Sequence, residues 1–230
     1  MGQHILPGNP PVAVILKQSA RARRISLRVS GLDSKVTLTI PRGVREREAL
    51  EFAYSKADWL REQMAKQVAP VQVAIGADLP IEGQLLRIVQ GSQKGVRQMG
   101  DALHVAGTPE TVGIRVQAWL RTQARDRLAQ ASDRYATALG RSYTHISIRD
   151  TRSRWGSCSA QGGLMYSWRL ILCPPDVLDY VAAHEVAHLQ EMNHSDAFWS
   201  VVADLKPGYQ APRQWLRDNG AALHRYRFKD

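Results

Sequence analysis

Five residues, His184-Glu185-Val186-Ala187-His188, constrain this chain more than any other stretch. An α-helix advances about 100° per residue, so positions i and i+4 fall within about 40° of each other. The spacing therefore predicts a helix that turns two imidazoles toward one point, with Glu185 about 60° round from His188. The surrounding sequence asks for this helix to be core-packed. Pro174 and Pro175 set its start, and Asp176 suits its first turn. Val177, Leu178, Val181, Val186 and Leu189 supply apolar surface over an expected helix from Asp176 to Gln190. A buried imidazole without a partner is costly, and a shared metal ion removes that cost for both. Two ring nitrogens with a carboxylate beside them are the parts needed to hold a metal and activate a water molecule for hydrolysis.

His194, six residues past His188, is the expected third ligand, because a catalytic zinc ion usually takes three protein ligands and keeps a fourth position open. It cannot share the face of a straight helix, so the chain must leave the helix and turn back. Asn193 is the expected turning point, since Asn tolerates left-handed backbone. Ser195 then caps a following helix that Phe198 and Trp199 pack down. Asp196 and Asp204 are the alternative third ligands. Asp179 and Glu191 are candidate acceptors for the remaining imidazole N–H groups.

The pattern upstream alternates. Ile25, Leu27 and Val29, then Val36, Leu38 and Ile40, predict antiparallel strands with a turn at Gly31 and Asp33. Residues 44–67 predict one amphipathic helix, with Ala53, Ala57, Leu60 and Met64 on one face. Strands are expected over 79–89, 102–105, 145–149 and 164–172. Gly107-Thr108-Pro109 is the expected domain boundary, Thr108 capping a long helix that Gly140 ends. A strand beside the metal helix can offer its edge to an extended peptide.

Composition narrows the setting. The 230 residues, 44% of them hydrophobic, suffice for one large domain or a small one beside a catalytic one. No apolar run reaches the length of a membrane span, and the first residues lack the pattern of a signal peptide. Cys158 and Cys173 build no disulfide framework and suit a reducing compartment, so a cytoplasmic monomer is expected. The formal net charge of +10 favours polyanions and brings in nucleic acid as a partner through the basic surface. The arginines at 21, 23 and 24 and at 149, 152 and 154 cluster, although no aromatics interleave with them.

Arg154-Trp155-Gly156-Ser157-Cys158, Trp168-Arg169-Leu170-Ile171, Tyr180-Val181 ahead of the histidine motif, and Asn193-His194-Ser195 with Phe198-Trp199 resemble the YgjP-like metallopeptidases. These are relatives of the SprT-type and WLM-type zinc proteases. The resemblance implies an α+β fold. Residues 108–230 would form a zincin-like (minigluzincin) catalytic core, its motif helix packed on a mixed sheet, and residues 1–107 a β-rich N-terminal region. It implies zinc on His184, His188 and His194, Glu185 as catalytic base, and a peptide or protein substrate. Arg154, Trp168, Arg169 and Tyr209 are the expected substrate-binding or charge-stabilising residues. One position departs: Ser167 stands where family members often carry Asn. Two rivals stay open. One is a zinc-dependent hydrolase of nucleotide phosphoanhydrides, using the arginines at 149, 152, 154 and 169. The other is a basic DNA-associated module with structural zinc. A protease acting on DNA-attached proteins combines the two themes by analogy with the relatives.

Overall fold

Alternating apolar and polar residues build the first sheet. The computed structural model describes residues 2–30, 35–65 and 69–229. β1 (Gln3–Leu6), β2 (Val12–Ser19), β3 (Ser26–Val29) and β4 (Val36–Pro41) lie in the order β1-β2-β4-β3. Val12, Val14 and Leu16 of β2 and Val36, Leu38 and Ile40 of β4 are buried together, as a period of two dictates. β3 runs antiparallel to β4 with Leu27 opposite Leu38. The turn expected at Gly31 and Asp33 lies outside the described residues. The single helix expected over residues 44–67 is two, α1 (Glu46–Ser55) and α2 (Ala57–Ala65), and residues 66 and 67 lie outside the described ones. Lys56 leaves helical geometry (φ −109°, ψ 10°) and separates them. Ala53 and Leu60 still share one core.

Chain contacts divide the protein into Met1–Ala69 and Pro70–Asp230. The boundary expected at 107–108 falls inside the second unit, because the sheet before it and the helix after it bury one core. In that unit β5 (Val71–Gln72) is followed by β6 (Asp78–Ile81), β7 (Gln84–Gln90), β8 (Val96–Met99) and β9 (Ala102–Val105). The last four form a sheet in the order β6-β7-β9-β8. Leu79, Leu86, Ile88 and Leu103 from this sheet share the core with α3 (Pro109–Leu139). Val112, Val116, Leu120, Ala124, Leu128, Ala131 and Tyr135 recur every three or four residues of α3, and all are buried. The Thr108 N–H donates to Thr111 Oγ1 at 3.0 Å at its start. Gly140 takes left-handed backbone (φ 65°) at its end.

The remaining elements build the cleft. β10 (His145–Arg149), β11 (Gly156–Cys158) and β12 (Gly163–Ser167) form a mixed sheet: β12 is central, parallel to β10 and antiparallel to β11. The strand expected to reach Leu172 stops at Ser167, and Trp168–Leu172 winds into a fully buried 3-10 turn. α4 (Pro175–Ala187) packs against α3 and β11. α5 (Asp196–Leu205), α6 (Gln210–Asn219) and a 3-10 turn over Gly220–Arg225 follow. β13 (Tyr226–Arg227) then pairs in parallel with β5. Among the described residues, no helix is long and apolar enough to cross a membrane.

Candidate metal centre

α4 buries Val177, Val181, Ala182, Ala183, Val186 and Ala187, so the helix is packed on most of its circumference. It ends sooner than the sequence pattern suggests. His188 is its C-cap, and the N–H groups of Leu189 and Gln190 bond back to the carbonyls of Val186 and Ala187 at 2.9 and 3.0 Å. This early stop has a chemical consequence. The Glu191 backbone carbonyl comes within 2.9 Å of His188 Nδ1 and accepts its N–H, which leaves Nε2 with the free lone pair. The expected acceptor was a carboxylate; the backbone of Glu191 serves instead. Asp179 takes no part either, being paired with Arg134, Tyr135 and Lys206.

Asn193 makes the return by a route other than the expected one. Glu82 is the only described non-glycine residue with positive φ, so Asn193 is not left-handed. Its Oδ1 instead accepts the Ser195 N–H at 3.1 Å, a side chain standing in for a backbone turn. Ser195 occupies the N-cap of α5 without a side-chain capping bond. The turn brings His194 back over α4. Ring nitrogens of His184, His188 and His194 all lie within 4.8 Å of one another, and the Nε2 atoms of His184 and His194 are 3.1 Å apart. Nitrogens about a tetrahedral zinc with bonds of roughly 2.0–2.1 Å stand about 3.3–3.4 Å apart, so this donor set fits such an ion. Among the described residues it is the only cluster of three or more such ligand side chains, and neither Asp196 nor Asp204 belongs to it.

Packing fixes the rings. Phe198 is fully buried, with its ring centroid 4.5 Å from His188, 4.9 Å from His184 and 4.7 Å from His194. Burial pushes the His184 pKa down to about 3, helped by His188, His194 and Arg213. Burial lowers that of His188 as well. Both rings are therefore neutral, the form that binds a metal.

Glu185 is only 5% exposed. Burial pushes its carboxyl up to about 8, against the opposing pull of Arg154. Among the described residues it makes no hydrogen bond or ion pair. It rests on the edge strand β11 so closely that a Cβ on Gly156 would stand 2.5 Å from Glu185 Cγ and Oε1. Sequence reasoning missed this role for Gly156. The available signal was a glycine at the head of a strand, which often marks a close approach. The three histidines, Glu185, Gly156, Arg154, Cys158 and Met192 line a cleft of about 220 Å³. Burial raises the Cys158 pKa and keeps its thiol protonated, and it stands outside the imidazole cluster.

The other expected site residues separate. Arg154 lines the cleft. Trp168 is fully buried, edge-on to Phe228 at 5.1 Å, with the Arg169 guanidinium 4.7 Å from its ring. Arg169 uses its fork on Asp150 (2.8 and 3.2 Å) and on the carbonyls of Leu223 and Tyr226 (3.0 and 3.2 Å). A buried guanidinium has to satisfy its donors in this way, so neither residue is placed to touch a substrate. Tyr209 is buried in an aromatic stack, 5.4 Å from Trp199 and 6.3 Å from Tyr180. Of the arginines at 149, 152, 154 and 169, only Arg154 reaches the cleft.

Three converging imidazoles with a buried carboxyl group beside them define the donor set of a metal-dependent hydrolase. The family comparison agrees. The family model described as YgjP-like, metallopeptidase domain, matches residues 23–219, and the chain belongs to that family. It is a metallopeptidase, and its substrates are peptides or proteins. No curated protein matches it. Among solved structures, the metallopeptidase zymogen abylysin of Pyrococcus abyssi matches at 24% identity with a TM-score of 0.34, over 42% of this chain and 92% of that one.

Proposed function

We propose that the chain is a zinc peptidase in which His184, His188 and His194 hold the metal and Glu185 is the general base. The observation that carries this reading is the state of Glu185. A buried carboxylate without a partner is expensive, and such groups persist where chemistry uses them. When bound, zinc would lower the pKa of a water molecule and polarise the scissile carbonyl. It would also draw the Glu185 carboxyl back toward its ionised form, because a nearby dication reverses the effect of burial. Glu185 then accepts the proton of the attacking water at its carboxylate and returns it to the leaving amine. The His188 ring is held in the required tautomer by Glu191, and Phe198 prevents the three rings from swinging. β11 is an edge strand beside Glu185, so its free edge suits an extended peptide laid along the cleft.

The fold reading belongs to the same proposal. A motif helix on the mixed sheet β10-β12-β11 is the arrangement expected of a zincin core, here placed within residues 108–230. Three nitrogen donors favour zinc over magnesium or calcium. Glu185→Gln is the test. The variant is expected to bind one zinc per chain while peptide hydrolysis falls by roughly 10²–10⁴-fold. Unchanged hydrolysis with zinc retained would remove Glu185 from the mechanism.

A further inference from the structure

Three arginines that form no ion pair stand in the cleft or near it. Arg154 lines it beside Gly156 and Glu185. Arg213 approaches from α6, its guanidinium 4.1 Å from the ring centre of Trp199, which in turn lies 5.7 Å from His184 and 5.9 Å from His194. Arg141 lines a polar cavity of about 470 Å³ that shares His188 and Met192 with the cleft. Among the described residues none of the three makes an ion pair. Several other basic groups of this unit do pair with carboxylates, among them Arg127 with Glu82, Arg134 with Asp179, Arg169 with Asp150, and Lys206 with Asp176. The carboxylates nearest to His194 in sequence, Glu191 and Asp196, form no ion pair with any of the three.

Unpaired guanidinium groups at a concave, partly buried site focus positive potential there and draw in the opposite charge. Guanidinium is also the group that matches a carboxylate in a two-pronged hydrogen bond. Arg213 is held in place by stacking on Trp199, so little freedom is lost when it binds. We propose that the substrate is a peptide segment with acidic side chains near the scissile bond, recognised by Arg154 and Arg213, with Arg141 reading a further acidic residue in the adjoining cavity. This rests on the peptidase reading and specifies its substrate class.

The zinc-loaded protein is given a peptide mixture randomised around a central bond, and the cleaved products are sequenced by mass spectrometry. Matched fluorogenic peptides with Glu or Gln at the flanking positions follow. The Glu peptides are expected to have the higher kcat/KM at low salt, by up to about fivefold per carboxylate, and the gap is expected to close as salt rises. Arg154→Glu and Arg213→Glu are each expected to lower that ratio and to move the preference toward Lys. Binding gives a readout that needs no turnover: Glu185→Gln should hold labelled Glu peptides more tightly than Gln peptides in fluorescence anisotropy. Equal kcat/KM and equal affinity for the two peptides would overturn the acidic preference and leave the peptidase intact. Cleavage of no peptide would overturn the peptidase reading, and the anisotropy ranking would then decide the acidic preference alone.

Discussion

Replacing Gly156 with Ala adds one methyl group to β11 and aims it at Glu185. The nearest atoms to that methyl all belong to Glu185: Cγ and Oε1 at 2.5 Å and Cδ at 2.7 Å. Ordinary van der Waals contact for a Cβ begins near 3.4 Å, so the carboxylate has to retreat by about 1 Å. Gly156 is not among the glycines with positive φ, so an alanine meets no left-handed strain there and the effect is steric. A misplacement of about 1 Å in a reacting group costs about 10²-fold in rate. The extra methyl also overpacks the site, at about 1–3 kcal/mol. No imidazole atom is among the three nearest to the new methyl, so metal binding should survive. The assay is kcat/KM on a fluorogenic peptide, run beside metal analysis and a thermal melt of the same sample. Activity within threefold of the parent would refute the claim that β11 positions Glu185. Loss of zinc would refute it too, because the disturbance would then have reached the ligands.

Two further predictions concern the ligands and the acid side of the stability profile. His194→Ala is expected to lose stoichiometric zinc in metal analysis of the purified protein; full retention would mean that another residue completes the site. His224 is buried against Trp155, and burial, followed by the charge of Arg169, pushes its pKa down to about 4. Its unfolded value is near 6.5, so the unfolded chain binds the extra proton first, and stability is lost as pH falls from about 6.5 toward 4. His224→Gln should remove about 2–3 kcal/mol of the difference between urea unfolding at pH 7 and at pH 4.5. An equal acid loss in parent and variant would rule His224 out as a source of that slope.

The strongest sequence signals were local ones, and they became elements. The i, i+4 spacing of His184 and His188 placed both on α4 and its cap, and the periodicity after Thr108 appears as α3. Where local signals misled, packing had intervened. Residues 168–172 are apolar enough for a strand, yet Arg169 has to turn inward to reach Asp150 and the Leu223 and Tyr226 carbonyls, and the chain coils there instead. The amphipathic stripe over 44–67 is continuous in sequence, but Lys56 divides it into two helices that serve one core. Trp168 and Arg169 belong to the motif by sequence and to the interior by position.

Spacing along the chain made the histidine pair and its carboxylate readable, because helix geometry is a property of neighbours a few residues apart. Convergence of His194 on that pair was readable only as an expectation, since it depends on a turn made by the Asn193 side chain. The tautomer set by the Glu191 carbonyl, the Phe198 ring behind three imidazoles, the contact of Gly156 with Glu185 and the unpaired arginines around the cleft had no sequence signature. Each is a meeting of residues from different elements. Burial and distance between such residues come from how α4, α5, α6 and β11 pack, so the folded chain had to decide them.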